Sequence, residues 1–130
     1  MIAIDTNVLV RYLVQDDPPQ GESARRVLED EATHDAPGYI TVVAVLELEW
    51  VLRSLYGFAG QVIADVIIEM MAAPNLVFEH AEAVELALAS PHGDLADNLL
   101  HRIGVVQGCA RTVTFDRRFA RLDGVDLLEV

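Results

Sequence analysis

The sequence contains no lysine. Its nine basic residues are all arginine, set against 21 acids, for a net charge of −12. That balance excludes a broad basic surface binding nucleic acid through counterion release. It does not exclude a nuclease, because phosphate can be held by metal ions and a few arginines, whose planar forks match its oxygens. An acidic excess can also be matched by a basic partner. There is a single cysteine, Cys109. One thiol makes no internal disulfide and no cysteine zinc site. Lying in the apolar stretch 105–109, Cys109 is expected to be a small buried residue. No apolar run reaches the roughly 18 residues that span a bilayer. Asp5 interrupts the apolar start and no basic segment precedes it, so a signal peptide is not expected, and the protein is expected to be soluble and cytoplasmic. Linkers, repeats and low-complexity stretches are absent too. What remains is 130 residues, 52% of them hydrophobic. That suits one compact domain, expected over 1–130, with a sizeable core.

Periodicity and turn residues predict alternating strands and helices. Strands are expected at 1–5, 39–41, 75–79, 111–115 and 126–130. Helices are expected at 8–14, 20–32, 42–56, 60–72, 80–89, 94–106 and 117–122, with a turn at 90–93. The segment 42–56 is so uniformly apolar that it should be largely buried. This alternation predicts an α/β fold, a short and mostly parallel sheet flanked by helices. Ligands of such folds sit at the carboxyl ends of the strands. Asp5 and Asp116 each follow an expected strand, so both fall there.

Most of the acids belong on a solvated surface, but a few fit that reading poorly. Asp5 and Asp116 are either helix caps or site residues. Glu47 and Glu49 lie in the apolar helix about 200° apart, so they cannot serve one site together. One faces solvent; the other is buried or lies against a cleft, and an ion or an arginine must offset that cost. Pattern alone leaves the choice open. Asp94 and Asp97 share a helix face, Asp94 as a candidate N-cap and Asp97 near the positive helix end or projecting into a cleft. Gathered carboxylates repel by about 4 kcal/mol per pair at roughly 4 Å and an effective dielectric of about 20. A hard cation such as Mg²⁺ or Mn²⁺ relieves this, binds phosphate and acidifies a bound water.

Four segments carry a resemblance. They are IDTNVLV at 4–10, VLELEWVL at 45–52, DLADNLL at 94–100 and TVTFDRRF at 112–119. In this order and spacing they resemble the PIN-domain ribonucleases, most closely the VapC-type toxins of toxin–antitoxin pairs. The resemblance implies a PIN-like fold and a Mg²⁺- or Mn²⁺-dependent endoribonuclease. It assigns the catalytic, metal-binding acids to Asp5, Glu47, Asp97 and Asp116, which leaves Glu49 as a bystander. Asp94 becomes an auxiliary ligand or a cap, and Thr6, Asn7 and Thr114 become supporting polar residues. Asn98 stands where many relatives have a small residue. The resemblance further implies RNA cleavage by metal-activated water, leaving 5′-phosphate and 3′-hydroxyl ends. It also implies a cognate VapB-type antitoxin, expected on the exposed parts of the early helices, and a homodimer.

Arg11, Arg117 and Arg118 are candidates for RNA phosphate contacts, and His101 for a place near the site. A phosphatase with an aspartyl nucleophile is disfavoured. Asp5 lacks the second Asp two residues on that haloacid-dehalogenase-type enzymes use, and there is no lysine. The other alternative is a catalytically silent, PIN-like acidic binding module.

Overall fold

The computed structural model describes residues 1–90 and 93–130, so the turn expected at 90–93 lies partly outside the described residues. The chain forms two compact units, Met1–Ala81 and Glu82–Val130. Its architecture is α/β, with short parallel strands and six α-helices among the described residues, as expected.

The first unit is built on the strands β1 (Ile2–Ala3), β2 (Gly38–Ile40) and β3 (Leu76–Phe78). They pair in parallel in the order β1-β2-β3, with Ala3 opposite Tyr39 and Tyr39 opposite Val77. Parallel neighbours need long crossovers, which helices supply. The β1–β2 crossover holds α1 (Thr6–Val14) and α2 (Pro18–Arg25), the latter running on as a π-helical turn over Arg26–Glu31. Asn75 donates from Nδ2 to the Leu28 carbonyl at 2.6 Å, tying that turn to the start of β3. The β2–β3 crossover holds α3 (Val42–Ser54) and α4 (Gly60–Met71). Gly38 is required where the strands crowd. A Cβ there would lie 3.0 Å from a Leu76 methyl and 3.3 Å from Ile4.

One expectation is corrected in α3. It is not largely buried: Ala44, Val45, Leu48 and Leu52 face the core, but Val43 is 64% and Trp50 52% exposed on the other face. A uniformly apolar composition hid a one-sided helix.

The second unit contains α5 (Ala81–Ala89), α6 (Leu95–Val106), β4 (Thr112–Thr114), a 3₁₀ turn (Phe119–Arg121) and β5 (Val125–Leu127). The strands β4 and β5 pair in parallel, Val113 opposite Asp126, and the 3₁₀ turn lies in their crossover. His101 Nδ1 on α6 lies 2.7 Å from Thr112 Oγ1 on β4. Gly124, at φ +85°, lies so close under the His101 ring that a Cβ would stand 3.1 Å from it. Cys109 is exposed rather than buried, a second correction, because it follows the end of α6 instead of continuing its core face. Among the described residues no helix is long and apolar enough to cross a membrane.

The two faces of α3 give a paired prediction. Leu48 is 1% exposed, so Leu48→Ala is expected to cost about 2–5 kcal/mol. Val43→Ala should stay within about 0.5 kcal/mol. Urea denaturation of the full chain measures both, and equal losses would contradict the one-sided packing.

Candidate functional site

In the first unit the carboxyl edge of the sheet is a row of polar residues. Register carries Asp5, Thr41 and Glu79 one step past the row of Ile4, Ile40 and Phe78. Asp5 follows β1 and caps α1, its Oδ1 accepting from the Thr6 N–H at 2.7 Å. The carboxylate is exposed, and its second oxygen has no partner among the described residues. Thr6 is 7% exposed, and its buried hydroxyl has no hydrogen-bond partner among the described residues. Asn7, next along α1, is exposed. Thr41 caps α3 by accepting from the Ala44 N–H, and Glu79 Oε1 accepts from the Val42 N–H at 2.8 Å. Sequence reading placed Glu79 only at a strand end, because its contact with α3 depends on strand register.

Glu47 and Glu49 separate as the helix requires. Glu49 is the half-buried one, and Arg53 offsets its charge at 2.7 Å. Glu47 is exposed on the face shared with Val43 and Trp50. Arg11 is not a free phosphate ligand. Its guanidinium donates to Gln20 at 2.8 Å, Asp16 at 2.9 Å and the Tyr56 hydroxyl at 3.3 Å. The Tyr56 hydrogen bond first, and the Arg11 charge after it, hold the Asp16 carboxyl below its ordinary range.

The second unit gathers three acids. Asp94, Asp97 and Asp116 line one cleft of about 710 Å³ with Gly93, Arg118 and Arg121. Asp94 caps α6, its Oδ1 accepting from the Ala96 N–H at 2.7 Å. Asn98 is buried beneath it, with Nδ2 donating to the Asp94 carbonyl at 3.1 Å. Asp97 sits half-buried in the first turn of α6. Asp116 follows β4. Its Oδ1 accepts from the N–H groups of Arg118 at 2.8 Å and Phe119 at 3.2 Å, and its own N–H donates to Thr114 Oγ1 at 3.0 Å. Capping and membership of a cleft thus coexist in the same carboxylates.

Burial, and then the charges of Asp94 and Asp116, raise the pKa of Asp97. An all-oxygen donor set under mutual repulsion fits a hard divalent cation. Among the described residues, however, no three His, Cys, Asp or Glu side chains stand together as a formed metal centre. His101 bonds to Thr112 and does not line the cleft. Arg117 is exposed outside the cleft lining, whereas Arg118 lines it. Arg121 was missed by sequence reading. Its three-residue spacing from Arg118 was visible, but the 3₁₀ period that aligns them was not.

The raised pKa of Asp97 has a consequence for stability. The folded chain keeps the Asp97 proton to a higher pH than the unfolded chain does. Stability therefore falls as pH rises from the ordinary Asp range through the raised value, and the cost is fully present at neutral pH. Asp97→Asn removes it. In EDTA the variant should melt up to a few degrees higher at neutral pH, a gain of less than about 1 kcal/mol for a partly exposed group. The gain should vanish below the ordinary Asp range. A loss at neutral pH would mean that attraction to the helix N-terminus outweighs repulsion.

The family model for the PIN domain matches residues 2–125, a span that runs through both units and contains all four motifs. Among curated proteins none matches the chain. PIN domains are generally nucleases. The chain belongs to the PIN domain family.

Proposed function

We propose that this chain is a Mg²⁺- or Mn²⁺-dependent endoribonuclease and the toxin of a VapBC-type toxin–antitoxin pair. The observation that carries the reading is the partly buried Asp97 crowded by Asp94 and Asp116 in one cleft. Such crowding disfavours the charged acids unless a cation shares the cleft. By the family resemblance, Asp5, Glu47, Asp97 and Asp116 are the proposed cation ligands, with Asp94 as auxiliary. The order of the four motifs supports this assignment. Bound there, a divalent ion would offset the carboxylate charge, polarise a phosphate and acidify water.

The chain's own groups prepare that chemistry. Backbone N–H groups hold one oxygen each of Asp5, Asp94 and Asp116, which limits how far the carboxylates swing. Thr114 anchors the backbone of Asp116. Thr6 brings a hydroxyl with unused hydrogen-bonding capacity next to Asp5. RNA is the proposed substrate, a VapB-type antitoxin the proposed inhibitor, and a homodimer the proposed assembly. The net charge of −12 suits an antitoxin segment that is basic.

Cleavage of total cellular RNA by the purified chain tests this, with Mn²⁺ or EDTA, beside Asp5→Asn and Asp116→Asn. Discrete bands are expected with Mn²⁺ and none with EDTA. Each variant should lose about 10²-fold or more, by analogy with removing one electrostatic group from a reaction site. Product ends should be 5′-phosphate and 3′-hydroxyl; a 2′,3′-cyclic phosphate would overturn the mechanism. A folded chain that cuts under no metal would favour the silent acidic binding module.

A further inference from the structure

Among the described residues, four of the nine arginines are engaged by acids. Arg11 pairs with Asp16, Arg25 with Glu22, Glu29 and Asp30, Arg53 with Glu49, and Arg111 with Asp126. Arg118 and Arg121 are not among them. Both are exposed, both line the cleft of Asp94, Asp97 and Asp116, and neither makes an ion pair among the described residues.

Local backbone geometry sets the two side by side. Asp116 Oδ1 faces the N–H groups of Arg118 and Phe119 rather than a guanidinium. The Arg121 N–H donates to the Arg118 carbonyl at 3.2 Å, closing a 3₁₀ turn. With three residues per turn, positions 118 and 121 eclipse, so both side chains project from one side. Arg117 is one position off that line and does not line the cleft. Two unpaired forks therefore flank a carboxylate cluster in a single cleft. A phosphodiester chain complements that arrangement, because its anionic oxygens accept bidentate bonds from guanidinium.

We propose that Arg118 and Arg121 form a phosphate subsite that holds the backbone of single-stranded RNA beside the acids. This rests on the ribonuclease reading and adds to it which arginines grip the strand.

The experiment follows binding of a short fluorescein-labelled oligouridylate by anisotropy over a KCl series. It uses the full chain carrying Asp5→Asn to suppress cleavage, with Mg²⁺ present so that the acids do not repel the strand. Arg118→Gln and Arg121→Gln should each weaken binding severalfold. Each should also flatten the slope of log K against log salt by about 0.7, the value for one phosphate contact on a single strand. Arg118→Lys and Arg121→Lys should retain the slope. Arg117→Gln should change neither affinity nor slope, and circular dichroism should show every variant folded. An equal loss in Arg117→Gln would mean general charge attraction and would overturn the subsite. So would parental binding in both cleft variants, or no binding by the Asp5→Asn chain itself. The ribonuclease reading is decided separately, by Mn²⁺-dependent cutting in the parent and its loss in Asp116→Asn.

Discussion

In both units a strand or loop hands over to a helix or turn whose first N–H groups need an acceptor, and a carboxylate supplies it. Asp5 does so for α1, Glu79 for α3, Asp94 for α6, and Asp116 for the turn after β4. Charge-assisted bonds of this kind are short and directional, and the helix end favours the negative charge. A carboxylate has two oxygens, and the cap occupies one. The second is left without a backbone partner among the described residues, with its carboxylate held by the first. The fold thereby concentrates acids at the carboxyl ends of its strands, where an open α/β sheet presents its ligands.

The number of elements was legible in the sequence because short apolar runs, Pro-Gly breaks and cap residues marked every handover. The two strand-following acids were legible for the same reason: Asp5 and Asp116 close apolar runs. Other features lacked a local signal. The orientation of α3 was hidden because Val43 and Trp50, on its outer face, are as apolar as Leu48 and Leu52 on its inner one. Pattern left the choice between Glu47 and Glu49 open. Glu49 is half-buried and paired with Arg53, while Glu47, the residue the proposal takes as the ligand, is exposed. Glu79 was invisible as a cap because its partner, Val42, is 37 residues away and meets it only through strand register.

Electrostatics sorts the arginines in the same way. Arg25 and Arg53 lie on helices with acids three or four residues away, so the helix itself presents them to partners. Arg118 and Arg121 lie on a tight turn after Asp116, whose Oδ1 is directed at the backbone, and neither makes an ion pair among the described residues. One cap bond thus orients the acid beside two guanidiniums that make no ion pair among the described residues.

The cleft of the second unit therefore carries two unmet electrostatic demands of opposite sign. Asp97 is partly buried and held near like charges, and its pKa is raised by burial first and by those charges second. Arg118 and Arg121 are short of negative charge. Direct pairing between the two sets would satisfy both and leave an inert surface. Among the described residues no such pairing is made. A divalent cation alone would answer only the acids, and an anion alone only the arginines. A phosphodiester accompanied by a divalent cation answers both, so each would strengthen the binding of the other. Such reciprocal coupling is a thermodynamic requirement once the two ligands stabilise each other in one cleft. On the proposed reading, a chain with net charge −12 would engage RNA through one cleft and with the help of the cation.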